Sequence, residues 1–550
     1  MFNSLLSESP ERRPAPLSRA PAADRWSLLI LGCVIAVVVV VRLRLGGSPL
    51  ERDEGEYAYM GQLMLQGIPP YTEAANMKFP GTYVAYALIE AVFGQTARGI
   101  RNGLIVVNLA TVWLIYRWAI LIYGSRVHAS IAAIVYASAS LSYSFLGQAA
   151  HATHFVVLAG CGGSLLLLRA MKVKSAAQFL VAGAVSGLAY LSKQSGFSYV
   201  IFGLFVILDE NRWRFFQATV VRQWTLFLVG AFAPFAVTVG LLNWAGALDP
   251  FVFWTFQYAR HYGATWAEAV EMFVTHGSLM LRWGGGWIWC VPVVVVVLMG
   301  IPVSGSDKGV NRVRLVFFLL ISIVAVSLGL MYRPHYWIQV LPAVALITPL
   351  FFSLFSSVTI RLFRCRPSPV LTIVLCLAFW SAIIAFEGKR LFVEKPEKIA
   401  NDVYFANLVN ELVPISKFIQ SNSKPSDRVF VFGSEPQVFF YSKRHSATSF
   451  IYLYSLFEDQ PYALAMQQQV LNDVESKQPE FFVDVSAGKP IADREQRFPM
   501  YKWKSEYLLG NYNPVLMIDY RIDNDAVFTG ENIRSVKSLY GVYATVWKRK

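Results

Sequence analysis

The chain has 550 residues, 55% of them hydrophobic and only 15% charged, against about 25% charged in soluble domains. So little charge cannot solvate several independent globular units, which excludes a soluble multidomain protein and points to a polytopic membrane protein. The formal net charge of +14 does not argue for nucleic acid, because many of the basic residues sit in short loops between apolar runs, where they orient a membrane protein.

Residues 1–26 are rich in Pro, Ala, Ser and Arg and are expected to be disordered and cytoplasmic. The apolar run after them carries no small-residue cleavage site and reads as a retained first helix. Spans are expected near 27–45, 100–122, 128–146, 153–170, 176–192, 196–209, 224–243, 286–303, 314–332, 335–357 and 369–386, about eleven in all. With the N-terminus inside, every cytoplasmic loop is basic: Arg126; Arg169, Lys172 and Lys174; Arg212, Arg214 and Arg222; Lys308, Arg312 and Arg314; Arg361, Arg364 and Arg366. That is the positive-inside pattern. It leaves three segments outside: 46–99, 244–285 and everything after about 387. The five cysteines show no paired spacing, so neither a disulfide framework nor a zinc motif is read from them.

The first outer segment opens with four acids in six positions: Glu51, Asp53, Glu54 and Glu56. "EYAYMGQLMLQG" and "PGTYVAYALIEAVFG" follow with helical spacing but are too short to span, so both are expected to lie along the interface. Between them comes Lys78, in "NMKFPG". An acid cluster at one helix start and a lysine before the next suit group transfer from a phosphate-bearing lipid. The departing phosphate needs cations and the incoming nucleophile needs a base. Asp53 and Glu54 would equally serve as helix caps. Glu51 and Glu56 read as a solvated helix start.

Further along, His151 and His154 in "HATHF" have the three-residue spacing that can place two ligands on one helix face, but without an acidic partner a metal is not the favoured reading. Lys193 reads as a phosphate contact at the outer face or a loop lysine. Arg260 and His261 lie in the aromatic loop "FWTFQYARHYGATW", and Arg333 and His335 in "MYRPHYW". Either pair could anchor at the interface or meet a lipid phosphate. The tail changes character: "DRVFVFG", "PEFFVDV", "NPVLMIDYRI" and "SLYGVYATVWKR" read as strands and "PYALAMQQQVLNDVESKQ" as a helix, giving a small α/β domain from near 400. No glycine-rich phosphate fingerprint occurs in it.

The order "RDEGEYAYMGQLMLQG…PPY…NMKFPGTYVAYALIEAVFG…GIRNGLIVVNLATVWLIYRWAILIYG" resembles the N-terminal core of the polyprenyl-phosphate-dependent GT-C glycosyltransferases, which include the aminoarabinose, protein mannose and rhizobial galacturonic acid transferases. "GLAYLSKQSG", "HYWIQVLPAVALI" and "RVFVFGSEPQVFFYSKRHSATSFIY" resemble later family segments in the same order. The resemblance implies an inverting transfer of a hexosyl or pentosyl unit from a sugar–phosphate–polyprenol donor, without a nucleotide sugar. The acceptor would be lipid A or core polysaccharide, a cell-wall glycan or a protein. By position it implies Asp53 as the base with Glu54 beside it, and Lys78 near the donor phosphate; "MKFPG" departs from the commoner Lys-Pro-Pro form.

The expectation is therefore a multi-spanning α-helical enzyme of a bacterial inner membrane. Residues 27–386 would form its transmembrane transferase domain, and 387–550 a periplasmic α/β domain. Asp53 and Glu54 would be catalytic; Lys78, Arg260, His261, Arg333, His335 and Lys193 would contact donor phosphate. Membrane lipids are expected as partners and nucleic acid is not; no cofactor is specified, and a divalent metal stays open. A flippase for lipid-linked glycans is the rival reading, though no internal repeat of the kind transporters carry is evident. A non-enzymatic assembly protein is the second.

Overall fold

The structure, a computed structural model, describes residues 22–284, 287–298, 312–363, 385–404, 408–485, 499–519, 526–530 and 543–550, with single positions at 374, 381 and 533. Fourteen helices among the described residues build the first part. They are α1 (Ala22–Leu45), α2 (Arg52–Leu65), α3 (Gly81–Phe93), α4 (Ala97–Tyr123), α5 (Arg126–Ala139), α6 (Ala152–Val173), α7 (Ala176–Ser192), α8 (Phe197–Glu210), α9 (Ala218–Trp244), α10 (Leu248–Val252), α11 (Trp266–Gly284), α12 (Trp287–Leu298), α13 (Arg312–Ser327) and α14 (Leu341–Phe363).

Among the described residues, α1 (from Asp24), α4, α6 and α9 are long and apolar enough to cross a membrane. α7 and α8 have 17 and 14 residues; the segment expected at 369–386 falls almost wholly outside the described residues, as does the expected disordered stretch up to residue 21. Two expected spans are interrupted for local reasons. The run 128–146 stops as α5 at Ala139, where the serines of "SASLSYS" form a short 3₁₀ turn capped by Ser142. The run 335–357 begins as a 3₁₀ turn at Pro334–Gln339 before α14, proline lacking the N–H that an α-helical interior needs. The outer segment read as a loop over 244–285 contains α11, 19 residues long.

Helix ends follow capping chemistry: Thr96 and Ser125 accept from Gly99 and His128 N–H groups to start α4 and α5, and Gly124 turns left-handed at φ 62° to end α4. Within the bundle α7 packs tightly on α6 and α9. A Cβ at Gly183 would lie 2.0 Å from the Phe227 carbonyl oxygen, so glycine is what allows α7 and α9 this close, as in membrane helix pairs generally.

The described residues from 408 onward include strands and helices that form an α/β unit. Strands β1 (Arg428–Phe432), β2 (His445–Ser446), β3 (Phe481–Asp484), β4 (Tyr512–Asp519), β5 (Ala526–Thr529) and β6 (Tyr543–Arg549) make one sheet, ordered β2-β1-β3-β6-β4-β5. β1 is parallel to β2 and β3, in register Val431↔Val483; β6 is antiparallel to β3 and β4. The helix expected between β1 and β3 is Ala463–Lys477.

Buried side chains gather into two main clusters. One fills the bundle, from Val34 and Trp118 to Phe318 and Leu346. The other runs without a break from Tyr57 on α2 and Tyr83 on α3, through Phe251 and Tyr258, into Phe430, Phe482 and Val546 of the sheet. The first outer loop and the C-terminal unit thus share one core.

Candidate active site

α2 carries the acid cluster, and its start explains where each acid points. Glu51 is the N-cap: its side chain accepts from Glu54 N–H at 2.9 Å, and Glu54 accepts in return from Glu51 N–H at 3.3 Å, a capping box. Glu54 also accepts from Arg101 of α4, with Nη2 at 2.7 Å, and from Ala150 N–H at 2.6 Å. This fixes α2 against α4 and the loop before α6. Glu54 is wholly buried there, behind the site rather than in it. Helical rotation then turns Asp53, Glu56 and Tyr57, at spacings of three and four, to another face.

Lys78 answers that face. Its Nζ lies 3.2 Å from Asp53 Oδ1 and 3.1 Å from Glu56 Oε2, and 4.5 Å from the Tyr57 ring centroid. Glu56 is saturated by Asn76 at 2.8 Å and the Tyr83 hydroxyl at 2.7 Å as well. Glu51 and Glu56 are both buried, which corrects the expectation of a solvated helix start. Their side chains are spent on holding the loop: Glu51 on the cap, Glu56 on Lys78, Asn76 and Tyr83. Asp53 and Lys78 keep 15% and 20% of their side-chain surface exposed, enough to meet a ligand.

What they meet is a cavity of about 540 Å³, well inside the range of small-molecule sites. Gln194 Nε2 donates to the Met77 carbonyl at 2.9 Å and Thr82 to the Ser192 carbonyl at 2.7 Å, so the end of α7 is stitched to the Lys78 segment and Lys193 joins the wall. Its Nζ stands 3.4 Å over the Tyr336 ring. The 3₁₀ turn before α14 supplies Arg333 and His335; Thr153 donates to the His335 carbonyl at 3.0 Å, and His335 Nε2 lies 3.8 Å from Asp53 Oδ2. The far wall comes from the α/β unit: Tyr452 donates to the Arg52 carbonyl at 2.9 Å and approaches Asp53 Oδ1 at 3.5 Å, with Tyr454 and Glu458 beside it.

Charges settle accordingly. Burial alone would raise the Asp53 carboxyl, but Lys78 and Arg333 outweigh it and hold it well below the usual carboxylate range. Burial would likewise lower Lys78, and the Asp53 and Glu56 carboxylates carry it above its ordinary value. Lys193 has no such carboxylate pair: burial and the neighbouring Lys78 push it down to about 7. Burial and the adjacent Asp53 and Glu54 raise Glu51 to about 8, and burial lowers His151 to about 3. Glu51 and His151, 3.6 Å apart, therefore face each other uncharged at neutral pH. Asp53 is the ionised acid on the cavity wall, with Lys78, Arg333 and Lys193 around it.

Asp53, His151 and His335 offer ligand atoms within 4.8 Å of one another and are the group among the described residues that could hold a metal ion. His335, not His154, completes it. The two imidazoles lie stacked, 3.9 Å apart and 10° from parallel, so their in-plane lone pairs run side by side instead of converging on one ion. Lys78 already occupies the carboxylate. As arranged, these residues do not fit a divalent metal.

Asp53, Lys78, Lys193, Arg333 and His335, distant in sequence, line one cavity. Arg260 and His261 do not: both are exposed, and His261 packs edge-on to Tyr462 at 5.8 Å. Reading the sequence missed Tyr452, Tyr454 and Glu458 as site residues: Tyr452 closes a segment that resembles the family without being singled out in it, Tyr454 and Glu458 lie beyond it, and all three reach the cavity because the tail folds back over α2.

Residues 78–239 match the profile of the dolichyl-phosphate-mannose-protein mannosyltransferase family. Among solved structures the chain is similar to ArnT from Cupriavidus metallidurans bound to undecaprenyl phosphate, with 14% identity over 96% of this chain and 98% of that one, at a TM-score of 0.55. The apo form of that protein fits at 0.56. The oligosaccharyltransferase AglB from Archaeoglobus fulgidus, at 11% identity, covers 92% of this chain and 74% of its own with a TM-score of 0.49. No curated protein matches in sequence. The chain shares the fold of ArnT, and its residues 78–239 carry the sequence pattern of the dolichyl-phosphate-mannose-protein mannosyltransferase family.

Proposed function

We propose that the protein transfers a monosaccharide from a polyprenyl-phosphate donor to an acceptor at the outer face of a bacterial inner membrane, with the C-terminal unit in the periplasm. The observation that carries this reading is one ionised acid, Asp53, set 3.2 Å from Lys78 on the wall of a cavity that Lys193 and Arg333 also line. The fold match to a protein bound to undecaprenyl phosphate supports the donor class.

The donor phosphate sits among Lys78, Lys193 and Arg333. An acceptor hydroxyl gives its proton to the Asp53 carboxylate while its oxygen bonds to the anomeric carbon, on the face opposite the phosphate. The carbon–oxygen bond to phosphate breaks, its electron pair passes to the phosphate oxygen, and polyprenyl phosphate leaves with inverted configuration at the sugar. With Lys78 and Arg333 turned on it, Asp53 is a weak base. A phosphate that takes a share of both cations relaxes that hold and raises the proton affinity of Asp53. The base therefore gains strength when the donor is in place, which guards against premature protonation. Lys78 and Arg333 then stabilise the charge that develops on the leaving group.

The test is Asp53→Asn. Mass spectrometry of surface glycolipids, glycans and proteins from a deletion strain identifies the missing product, and complementation with the variant should not restore it. With purified protein in detergent, transfer should fall by about 10²–10⁴-fold, with undecaprenyl phosphate still bound. Full transfer by the variant would remove Asp53 as the base.

A further inference from the structure

A second cavity, also of about 540 Å³, is lined by residues from 71–72, 249–254 and 449–469, which adjoin or interleave with three of the stretches that line the first. Tyr71 lines it, and the Tyr71 hydroxyl donates to the carbonyl of Lys78 at 2.6 Å. In the π-helical turn Phe253–Gln257, Phe253 and Trp254 face the second cavity while the next residue, Thr255, faces the first. Along 449–462 the same division recurs: Phe450 and Tyr462 face the second cavity, Tyr452, Tyr454 and Glu458 the first. The Tyr258 hydroxyl donates to Glu458 at 2.7 Å and the Trp254 and Phe450 rings meet at 5.5 Å, so the two stretches are braced into a single partition. A π-helical turn commonly marks a functional position.

The two cavities differ sharply in chemistry. The first is lined by Lys78, Lys193, Arg333 and Arg52. Among the described residues the second has no basic side chain in its lining; it has rings, from Phe253, Trp254 and Tyr462, and polar groups, from Asp249, Thr72 and Gln469. Asp249 makes no ion pair among the described residues, so its carboxylate is available as an acceptor for hydroxyl donors. An anionic headgroup finds no counter-charge there and would meet Asp249. A pyranose fits: one face of the ring is C–H surface that lies on aromatic rings, and its rim is hydroxyl groups that donate to a carboxylate and an amide oxygen. The volume suits a unit of a few sugars at most.

We infer that this second cavity binds the uncharged saccharide portion of the acceptor, next to the cavity where the donor reacts. The inference rests on the transferase reading above and names the acceptor class: a glycan, recognised through sugars that do not themselves react. The partition explains how one chain keeps the two substrates apart. The cationic side takes the carrier phosphate and the aromatic side takes neutral sugar. Because Tyr71 is tied to the backbone of Lys78, an occupied second cavity steadies the segment that holds the donor phosphate.

Saturation-transfer NMR on the full-length protein in detergent tests this, using methyl pyranosides of glucose, galactose, mannose and rhamnose and their disaccharides as probes. At least one should receive saturation, and the signal should drop at least fivefold in Tyr462→Ala and in Asp249→Asn. Undecaprenyl phosphate affinity, measured by intrinsic fluorescence, should stay within twofold in both. The inference is overturned if none of the probes binds, if binding is unchanged in both variants, or if the variants lose undecaprenyl phosphate to the same extent as sugar. Asp53→Asn separates the two readings, since it should keep the saccharide signal whether or not it still transfers.

Discussion

At the scale of single residues, four neighbouring acids have four different fates, decided by what each one touches. Glu51 caps, Glu54 pairs with Arg101, Glu56 is saturated, and Asp53 is left facing the cavity beside Lys78. No spacing rule separates these roles, because residues one apart on a helix differ by about 100° in direction, and what lies in each direction is tertiary. Lys193 allows a pH prediction. Burial and Lys78 push it down to about 7, so it is charged below neutrality and loses its proton as pH rises through that value. Binding of an anionic donor favours the charged form. Affinity for undecaprenyl phosphate should therefore weaken between about pH 6 and pH 8.5, by roughly tenfold or more if the contact is a typical charge-assisted hydrogen bond. Lys193→Arg should flatten that dependence, since guanidinium stays protonated. An unchanged slope in the Arg variant, measured by titration at each pH, would show that Lys193 does not meet the phosphate.

At the scale of elements, α2 is the part on which the site depends. Its N-terminus is held by α4 through the buried Glu54–Arg101 pair and its first turn by the helix Gln437–Ser442, against which a Cβ at Gly55 would come within 2.7 Å of Gln437 N. Removing one partner of a buried pair leaves an uncompensated charge, so Arg101→Met should cost about 3–5 kcal/mol. Gly55→Ala should cost about 1–3 kcal/mol through overpacking and should also loosen the C-terminal unit from α2. Thermal unfolding followed by intrinsic fluorescence reads the first, and limited proteolysis between residues 385 and 430 the second. A wild-type melting curve for Arg101→Met would mean that α2 is positioned some other way. The lengths and apolar faces of α2 and α3 are legible in sequence, as is the link between them carrying Lys78. Their buried acids are not, because an acid looks equally hydrophilic whether water or a guanidinium solvates it.

At the scale of the whole molecule, the first outer loop and the C-terminal unit cannot be taken apart without opening a core. Tyr57 and Tyr83 belong to the same buried cluster as Phe430 and Phe482, Tyr59 accepts at 2.9 Å from Ser446 N–H, and His445 bonds Glu73 and Gln66 at 2.8 Å each. A chain ending near residue 407 should lose undecaprenyl phosphate binding and elute as aggregate in detergent. A monodisperse truncated protein that binds the lipid as tightly as the full chain would contradict this. The membrane character, most helix positions, the alternation of strand and helix in the tail, and an acid cluster followed by a lysine all follow from local composition and periodicity, which are properties of short stretches of chain; Asp53 and Lys78 are singled out by the family resemblance. Which acid is ionised on the cavity wall, which of the distant cations join it, why Arg260 and His261 stand apart, and why tyrosines from the tail line the site were decided only by the tertiary structure. Each of those depends on groups hundreds of residues apart being brought within a few ångströms, where burial and charge act on one another at distances that chain order does not record.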